Sequence, residues 1–374
     1  MAEAFEPRYL LPDIPADLTS KPGVERFLKF AAENDVHDII MMTGKHALLR
    51  QHGVNYRGTS RPLDEEEVTF FVQMVTFSSA TSSLHGAVPV DRGFQFQDEN
   101  GKSYRFRVSA AAYYGPRLQS TAVTMRTLSE DIRPFGSMSV CPSIASNFCP
   151  KQGLVLITGK TGSGKTTLMA GGLVERAQKS EAGEVILTAE EPIEYVFDKV
   201  DLGRSIIAQH EIPTHLESFG AAVRNFMRRA PDALFCGEVR DNESFEGLVQ
   251  FSLSGHAAYA TGHTNGVADS IHRFLYLAEN KKAAAVDMLS SMHMIIYQEL
   301  LHSLDGKRVP AREHLVFDEQ VKRRLLRLSP DDWQGEIRNI LRENKTEIHN
   351  DVETLVNEGL VKEEYLDTFL ARSA

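Results

Sequence analysis

The chain is poor in cysteine, has no long apolar run and is short of positive charge. Three cysteines in 374 residues (Cys141, Cys149 and Cys236), with no C-x-x-C pair, supply neither a disulfide framework nor a zinc site. No stretch approaches the ~18 apolar residues of a membrane span, so a soluble protein without a transmembrane segment is expected. The first residues, MAEAFEPRYLLPDIPADL, carry acids and prolines where a secretory signal has a basic end and an apolar core. That pattern argues against export and for a reducing cytoplasm. Lys and Arg number 41 against 51 Asp and Glu, a net charge of −10, so the surface as a whole is no sink for nucleic acid or membrane. The densest basic cluster, Lys322-Arg323-Arg324 with Arg327, sits among leucines at helical spacing and reads as a solvated helix face. Repeats and low-complexity tracts are absent.

What is there is an ordinary globular composition, 42% hydrophobic and 25% charged, in a chain longer than one core usually organises. Two domains with an appendage are expected. In the first ~125 residues, strand-like and helix-like patterns alternate. Val36 to Met42 is apolar, and Leu63-Asp64-Glu65-Glu66-Glu67 opens a helix with acids in its first turn. Phe94 and Phe96, then Tyr104, Phe106 and Val108, alternate with polar residues about an Asp98-Glu99-Asn100-Gly101 turn, which predicts a hairpin. Period two puts Arg105 and Arg107 on the opposite, solvated face.

The pattern lapses at TLSEDIRPFGSM, Thr127 to Met138, which predicts a linker. Strand-like runs at Leu154–Thr158, Glu184–Thr188, Ala233–Cys236 and Ala257–Thr261 then alternate with helical segments, the signature of an α/β parallel sheet. One predicted helix, Ser218 to Ala230, carries Phe219, Ala222, Val223 and Phe226 on one stripe and Arg224 and Arg228 on another face. From Glu319 onward the tail reads as helices.

Gly159-Lys160-Thr161-Gly162-Ser163-Gly164-Lys165-Thr166 fits G-x-x-x-x-G-K-[ST] between a predicted strand and a predicted helix. Glycines reach backbone angles that let successive N–H groups converge on the β- and γ-phosphates, and the helix adds its positive end. Lys165 bridges those phosphates, and Thr166 offers a hydroxyl to Mg²⁺. This loop is expected to hold a nucleoside triphosphate.

In a parallel sheet the ligand sits at the carboxyl ends of the strands. After one apolar run come Glu190-Glu191-Pro192-Ile193-Glu194, where a carboxylate can deprotonate the attacking water. After another come Gly237-Glu238, placed to meet Mg²⁺. A third segment, SGHAAYATGHT, brackets a strand with His256 and His263. Seven residues of strand span about 23 Å, too far for shared ligation of a metal. His263 is placed to sense the γ-phosphate, and His256, at the other strand end, to order the polypeptide.

GKTGSGKTT, TAEEPIEYVF, SFGAAVRNFMRRAPDALFCGEVRD and SGHAAYATGHT, in that order, resemble the Walker A loop, Asp box, Walker B segment and His box of the PilT/GspE-type secretion ATPases of type II secretion, type IV pilus and type IV secretion systems. The resemblance covers about 105–318 and is strongest to the pilus-retraction branch and to the DotB- and TraJ-like ATPases of type IVB secretion and IncI conjugation. It implies a PAS-like N-terminal domain (1–130), a linker (131–138), a RecA-like ATPase domain (139–318) and a helical C-terminal region (319–374). It further implies a cytoplasmic homohexamer docked on inner-membrane secretion components. ATP and Mg²⁺ are the implied cofactors, and domain rotation drives transport.

By this resemblance Glu190 is the catalytic glutamate and Glu238 the Walker B acid, with Thr166, Glu191 and Glu238 toward Mg²⁺. Thr167 completes the loop, and His256 and His263 are the paired box histidines. Arg105, Arg107, Arg117 and Arg126 lie where the family brings arginines toward the phosphates, and Arg224 and Arg228 match Walker B helix arginines. The chain departs from the family in having Glu-Glu-Pro for Glu-Asp-Pro at Glu191, and Gln209-His210-Glu211 where an arginine often stands. The four-cysteine zinc insert of the type II branch is missing from the sequence. Direct nucleic-acid binding is not expected, although a RecA-like nucleic-acid motor is the alternative of a different class. A P-loop kinase would need a phosphoacceptor pocket and lid arginines that the sequence does not offer.

Overall fold

The computed structural model describes residues 18–51, 54–76, 80–115, 120–128, 131–277 and 281–373. The chain divides into two units, Met1–Asp131 and Ile132–Ala374.

The N-terminal unit contains α1 (Lys21–Glu33), β1 (Asp38–Met42), β2 (Leu48–Gln51), β3 (Val54–Arg57), α2 (Glu65–Val75), α3 (Ala80–His85), β4 (Val90–Gln97), β5 (Ser103–Tyr113) and β6 (Ser120–Leu128). Its strands form an antiparallel sheet in the order β3-β2-β1-β6-β5-β4. The acids that open α2 act as expected: Asp64 accepts from the Glu67 N–H at 2.9 Å while the Glu67 carboxylate accepts from the Asp64 N–H at 3.0 Å. In the β4–β5 hairpin Phe94 faces Phe106 and Phe96 faces Tyr104 across the register. At its turn the Asp98 carboxylate accepts from the N–H groups of Asn100 and Lys102, both at 3.0 Å. Tyr104, Phe106 and Val108 join Phe27, Phe71, Ile39 and Met125 in the core of this unit. Arg105 departs from the expected solvated face, since it is only 8% exposed.

The second unit begins with a short 3-10 turn at Phe135–Ser137 and continues with α4 (Pro142–Asn147), β7 (Gly153–Thr158), α5 (Lys165–Lys179), β8 (Val185–Glu190), β9 (Ile206–Glu211), α6 (Phe219–Phe226), β10 (Ala233–Cys236), α7 (Asn242–Leu253), β11 (Ala257–Gly262), α8 (Val267–Leu277) and α9 (Lys281–Ser291). Strands β12 (Met292–His302) and β13 (Arg308–Val316) precede the C-terminal helices α10 (Glu319–Leu326), α11 (Trp333–Asn344), α12 (Ile348–Asn357) and α13 (Glu364–Ser373). The sheet order is β13-β12-β7-β11-β10-β8-β9, with every neighbour parallel except β13 against β12.

Two hydrophobic layers sandwich this sheet. One holds α4 and α5 through Phe148, Leu168, Met169 and Leu173, with Phe135 and Met138. The other holds α6 to α9 and the C-terminal helices through Phe226, Phe245, Phe274, Trp333 and Ile337. Two strands end differently from the sequence reading: β8 runs on to Glu190, making that acid the last strand residue, and β11 runs to Gly262. Helix α6 stops at Phe226, four residues early, and Ala230, ahead of Pro231, adopts φ +48°. Strands β9, β12 and β13 were not anticipated.

Candidate active site

The loop from Gly159 to Gly164 leaves β7 and enters α5 with Gly159, Gly162 and Gly164 at φ +145°, +77° and +82°. A side chain at these angles is strained. At Gly159 a Cβ would also lie 2.3 Å from the Gln298 carbonyl oxygen of β12. The Lys165 ammonium is wrapped by its own loop, donating to the carbonyls of Gly159 and Lys160, each at 2.9 Å. Burial holds its pKa below the ordinary lysine value, against the pull of Glu238 and Glu194. The Ser163 hydroxyl is buried with no partner inside the loop. Thr166 follows on the first turn of α5, and the Thr167 hydroxyl meets that of Tyr195 at 2.9 Å.

Sheet order then decides which residues gather. The carboxyl ends of β7, β11, β10 and β8 are consecutive and carry the loop, His263, Glu238 and Glu190. Glu190 is 4% exposed and accepts from the Thr188 hydroxyl at 2.6 Å and the Gln209 amide at 2.9 Å. Gln209 stands on β9, and its amide also donates to the Tyr195 carbonyl at 2.7 Å. Glu238 faces an imidazole and a guanidinium. His263 Nε2 lies 3.3 Å from one carboxylate oxygen, and Arg240 donates to the other at 2.8 Å. Arg240 also donates to Glu191 at 2.6 Å, so one guanidinium joins the Asp-box and Walker B acids. Burial first, and the Lys165 charge second, lower the His263 pKa, with Glu238 opposing them. The imidazole is therefore neutral at pH 7.

Beside the loop lies a cavity of about 640 Å³. It is lined by Gly159, Lys160 and Thr161 of the loop, by His263, and by Arg273 and Tyr276 of α8. Arg273, Arg240 and Gln298 were not singled out in the sequence. Arg273 had a readable signal, because Asp269, His272, Arg273 and Tyr276 fall at i, i+3, i+4 and i+7 just after the His box. Arg240 had a weaker one, two residues beyond Glu238. Gln298 had none.

Other expected residues lie elsewhere. His256 precedes β11 at the amino edge of the sheet, with its carbonyl accepting from the Gly153 N–H at 3.0 Å. Its ring Nδ1 meets the Ser254 hydroxyl at 2.9 Å, and its ring lies tilted against Phe251 with centroids 5.0 Å apart. Strand rise puts it about 20 Å from the loop. Within this unit its contacts order the entry to β11, as the sequence reading expected of it, and it stands at the opposite end of that strand from the loop. Arg224 pairs with Glu243 of α7, Arg228 is exposed beyond α6, and neither lines the cavity beside the loop. In the N-terminal unit Arg126 donates to Asp38 at 2.8 Å, Arg105 is buried on β5, and Arg107 stands opposite Arg126 in the register. Arg117 lies outside the described residues.

The residues present fit a magnesium nucleotide. The loop offers convergent amides, an ammonium and the unpartnered Ser163 hydroxyl. Among the described residues no cluster of three His, Cys, Asp or Glu side chains could cage a metal by itself. Mg²⁺ characteristically uses one or two protein ligands with phosphate oxygens and water, and Thr166 with Glu238 or Glu191 matches that habit.

Comparison with known proteins agrees with this geometry. The family model described as "Type II/IV secretion system protein" matches residues 24–347. A twitching motility protein of Neisseria gonorrhoeae is 29% identical over 313 residues, covering 82% of this chain and 75% of its own. The X-ray structure of the Legionella pneumophila ATPase DotB superposes with a TM-score of 0.85 at 30% identity, covering 94% of this chain and 95% of its own. The crystal structure of the pilus retraction motor PilT with bound ADP superposes at 0.75 with 27% identity, covering 92% and 96%. With the family's four motifs brought to one sheet edge or its flanks and its model matched over most of the length, the chain belongs to the type II/IV secretion system protein family, the PilT/GspE superfamily of secretion and pilus ATPases, near DotB.

Proposed function

We propose that this chain is a Mg²⁺-dependent ATP hydrolase that powers substrate export or pilus dynamics in a type IV secretion or conjugation system, working as a homohexameric ring. The observation that carries the reading is the alignment of loop, His263, Glu238 and Glu190 on four consecutive strand ends.

Each residue has a role that follows from its place. Loop amides and Lys165 bind the β- and γ-phosphates, and Thr167 continues the same turn. When bound, Mg²⁺ neutralises charge on the phosphate oxygens. Thr166 and Glu238, with Glu191, hold it. Glu190, fixed by Thr188 and Gln209, takes a proton from the attacking water as its oxygen bonds to the γ-phosphorus and the bridge to the β-phosphate breaks, leaving ADP and inorganic phosphate. Neutral His263 faces the loop and Glu238, a position suited to sensing the γ-phosphate. Arginines such as Arg105, Arg107 or Arg126, or Arg224 and Arg228 from a neighbouring copy, are candidates to supply transition-state charge.

Around this chemistry the proposal is coarser. The antiparallel sheet flanked by helices supports a PAS-like reading of residues 1–130, with 131–138 as linker, 139–318 as a RecA-like domain and 319–374 as a helical region. Among the described residues no helix is long and apolar enough to cross a membrane. A ring docked on the cytoplasmic face of inner-membrane components would suit such a chain.

Phosphate release from ATP by the purified chain tests the proposal. Lys165→Ala is expected to abolish it. Glu190→Gln is expected to lower kcat by about a hundredfold or more with nucleotide affinity little changed. A Glu190→Gln rate equal to wild type would remove that residue from the chemistry.

A further inference from the structure

We propose that Gln298 and Arg312 are positioning residues that couple the shape of the nucleotide loop to the segment 132–139. This inference rests on the ATPase reading of the loop.

The connection is a continuous set of hydrogen bonds through the buried β12–β13 hairpin. Gln298 of β12 is 2% exposed and donates its amide N–H to the Ser163 carbonyl at 2.6 Å. Its amide oxygen accepts from Arg312 Nε at 2.7 Å. Arg312 of β13, 5% exposed, spends its other donors on the carbonyls of Ser139, at 2.8 Å, and Met138, at 3.0 Å. Its backbone N–H donates to Asp351 of α12 at 2.8 Å.

The order of atoms leaves one assignment for the amide. Arg312 is a donor only, so the Gln298 oxygen must face it and the NH₂ must face the Ser163 carbonyl. A flipped amide would oppose N–H to N–H and oxygen to oxygen. The Ser163 carbonyl and the Gly164 N–H belong to one peptide plane and point in opposite directions. By gripping that carbonyl from behind, Gln298 aims the Gly164 N–H toward the interior of the loop, where phosphate binds. The fit has no slack, because a Cβ on Gly159 would lie 2.3 Å from the Gln298 carbonyl oxygen and one on Gly164 would lie 3.0 Å from its amide nitrogen.

The other end of the chain of bonds is equally close-set. The 132–139 segment packs on α5, the helix that the loop begins, where a Cβ on Gly171 would lie 2.7 Å from the Arg133 carbonyl oxygen and 2.4 Å from the Met138 methyl. The guanidinium that joins segment to hairpin has only neutral carbonyl acceptors, and burial lowers its pKa to about 10. A buried cation so placed contributes little net stability. Its planar fork is what the arrangement uses, since separate nitrogens reach the Gln298 amide oxygen on β12 and the carbonyls of Met138 and Ser139 at once, which the single nitrogen of a lysine does not span. If a bound triphosphate turns the Ser163–Gly164 peptide, Gln298 must follow, and the bonds to Met138 and Ser139 tighten or loosen with it.

Hydrogen exchange read by mass spectrometry over 132–140 of the full chain, with and without a non-hydrolysable ATP analogue, tests this. In the wild type the analogue is expected to slow exchange of the Ser137 and Met138 amides several-fold. Gln298→Leu and Arg312→Lys should lose that response, with kcat about tenfold lower and KM for ATP within about threefold of wild type. Gln298→Glu should keep the segment protected through its bond to Arg312 but without nucleotide dependence, because a carboxylate repels the Ser163 carbonyl. A wild-type segment indifferent to bound analogue overturns the coupling without any variant, as do variants that respond like wild type. Failure of the wild type to bind the analogue at all overturns the ATPase reading itself.

Discussion

At Arg240 one guanidinium meets both carboxylates proposed to serve the metal, Glu191 at 2.6 Å and Glu238 at 2.8 Å. Its effect is to hold both acids at the sheet edge and to keep Glu238 from surrendering wholly to His263. Arg240 is 48% exposed, so its loss should cost no more than about 1 kcal/mol of stability. Turnover should suffer more, because an acid whose orientation is free stabilises a developing charge poorly. Arg240→Ala is expected to lower kcat about tenfold with a melting temperature close to wild type, and steady-state hydrolysis beside a melting curve separates the two. Equal turnover in the two proteins would mean that the pair is a surface ornament. Arg273, which lines the same cavity as His263 and opposes its protonation, is a second cation at this scale.

At the scale of elements, the β12–β13 hairpin carries buried titrating groups whose signs oppose each other. Burial, reinforced by Arg312, lowers the His314 pKa from 6.5 to about 4. The unfolded chain therefore binds that proton more readily, and the stability His314 contributes is complete above 6.5 and lost as pH falls toward 4. By pH 5 the loss is about 2 kcal/mol. The neighbouring Glu313 is raised by burial from 4.5 to about 6, so its cost is felt above 6 and relieved on acidification toward 4.5. His314→Gln removes the first effect and leaves the second. Its melting temperature should fall between pH 7 and pH 5 by about 4 °C less than that of wild type. Identical falls would show that the imidazole does not titrate in this window.

For the whole molecule, the proposed site calls for more positive charge than its cavity supplies: among the described residues that line it, Arg273 is the one arginine. If the missing cation comes from another domain or another copy, hydrolysis per chain must depend on assembly. Activity per chain is expected to rise with concentration over about a hundredfold range and to level off as rings form, with solution mass measured in parallel. A constant specific rate with a constant monomer mass would remove the ring.

The loop was legible in the sequence because its chemistry is local: eight consecutive residues make the turn, the amides and the ammonium. Glu190, Glu238 and His263 were legible for a related reason, since a parallel sheet sends each strand's next residues to one edge. The same rule separates His256 from His263, which stand at opposite ends of one strand. What sequence could not determine is which strands are neighbours, and thus that β11 and β10 carry His263 and Glu238 between the loop and Glu190. Nor could it place Gln298, 135 residues beyond the Ser163 carbonyl it grips. Local backbone geometry follows from residue types a few positions apart. Partnerships such as Gln298 with Ser163 and Arg312 with Ser139 exist only once distant strands have packed, and nothing in either segment alone announces the other.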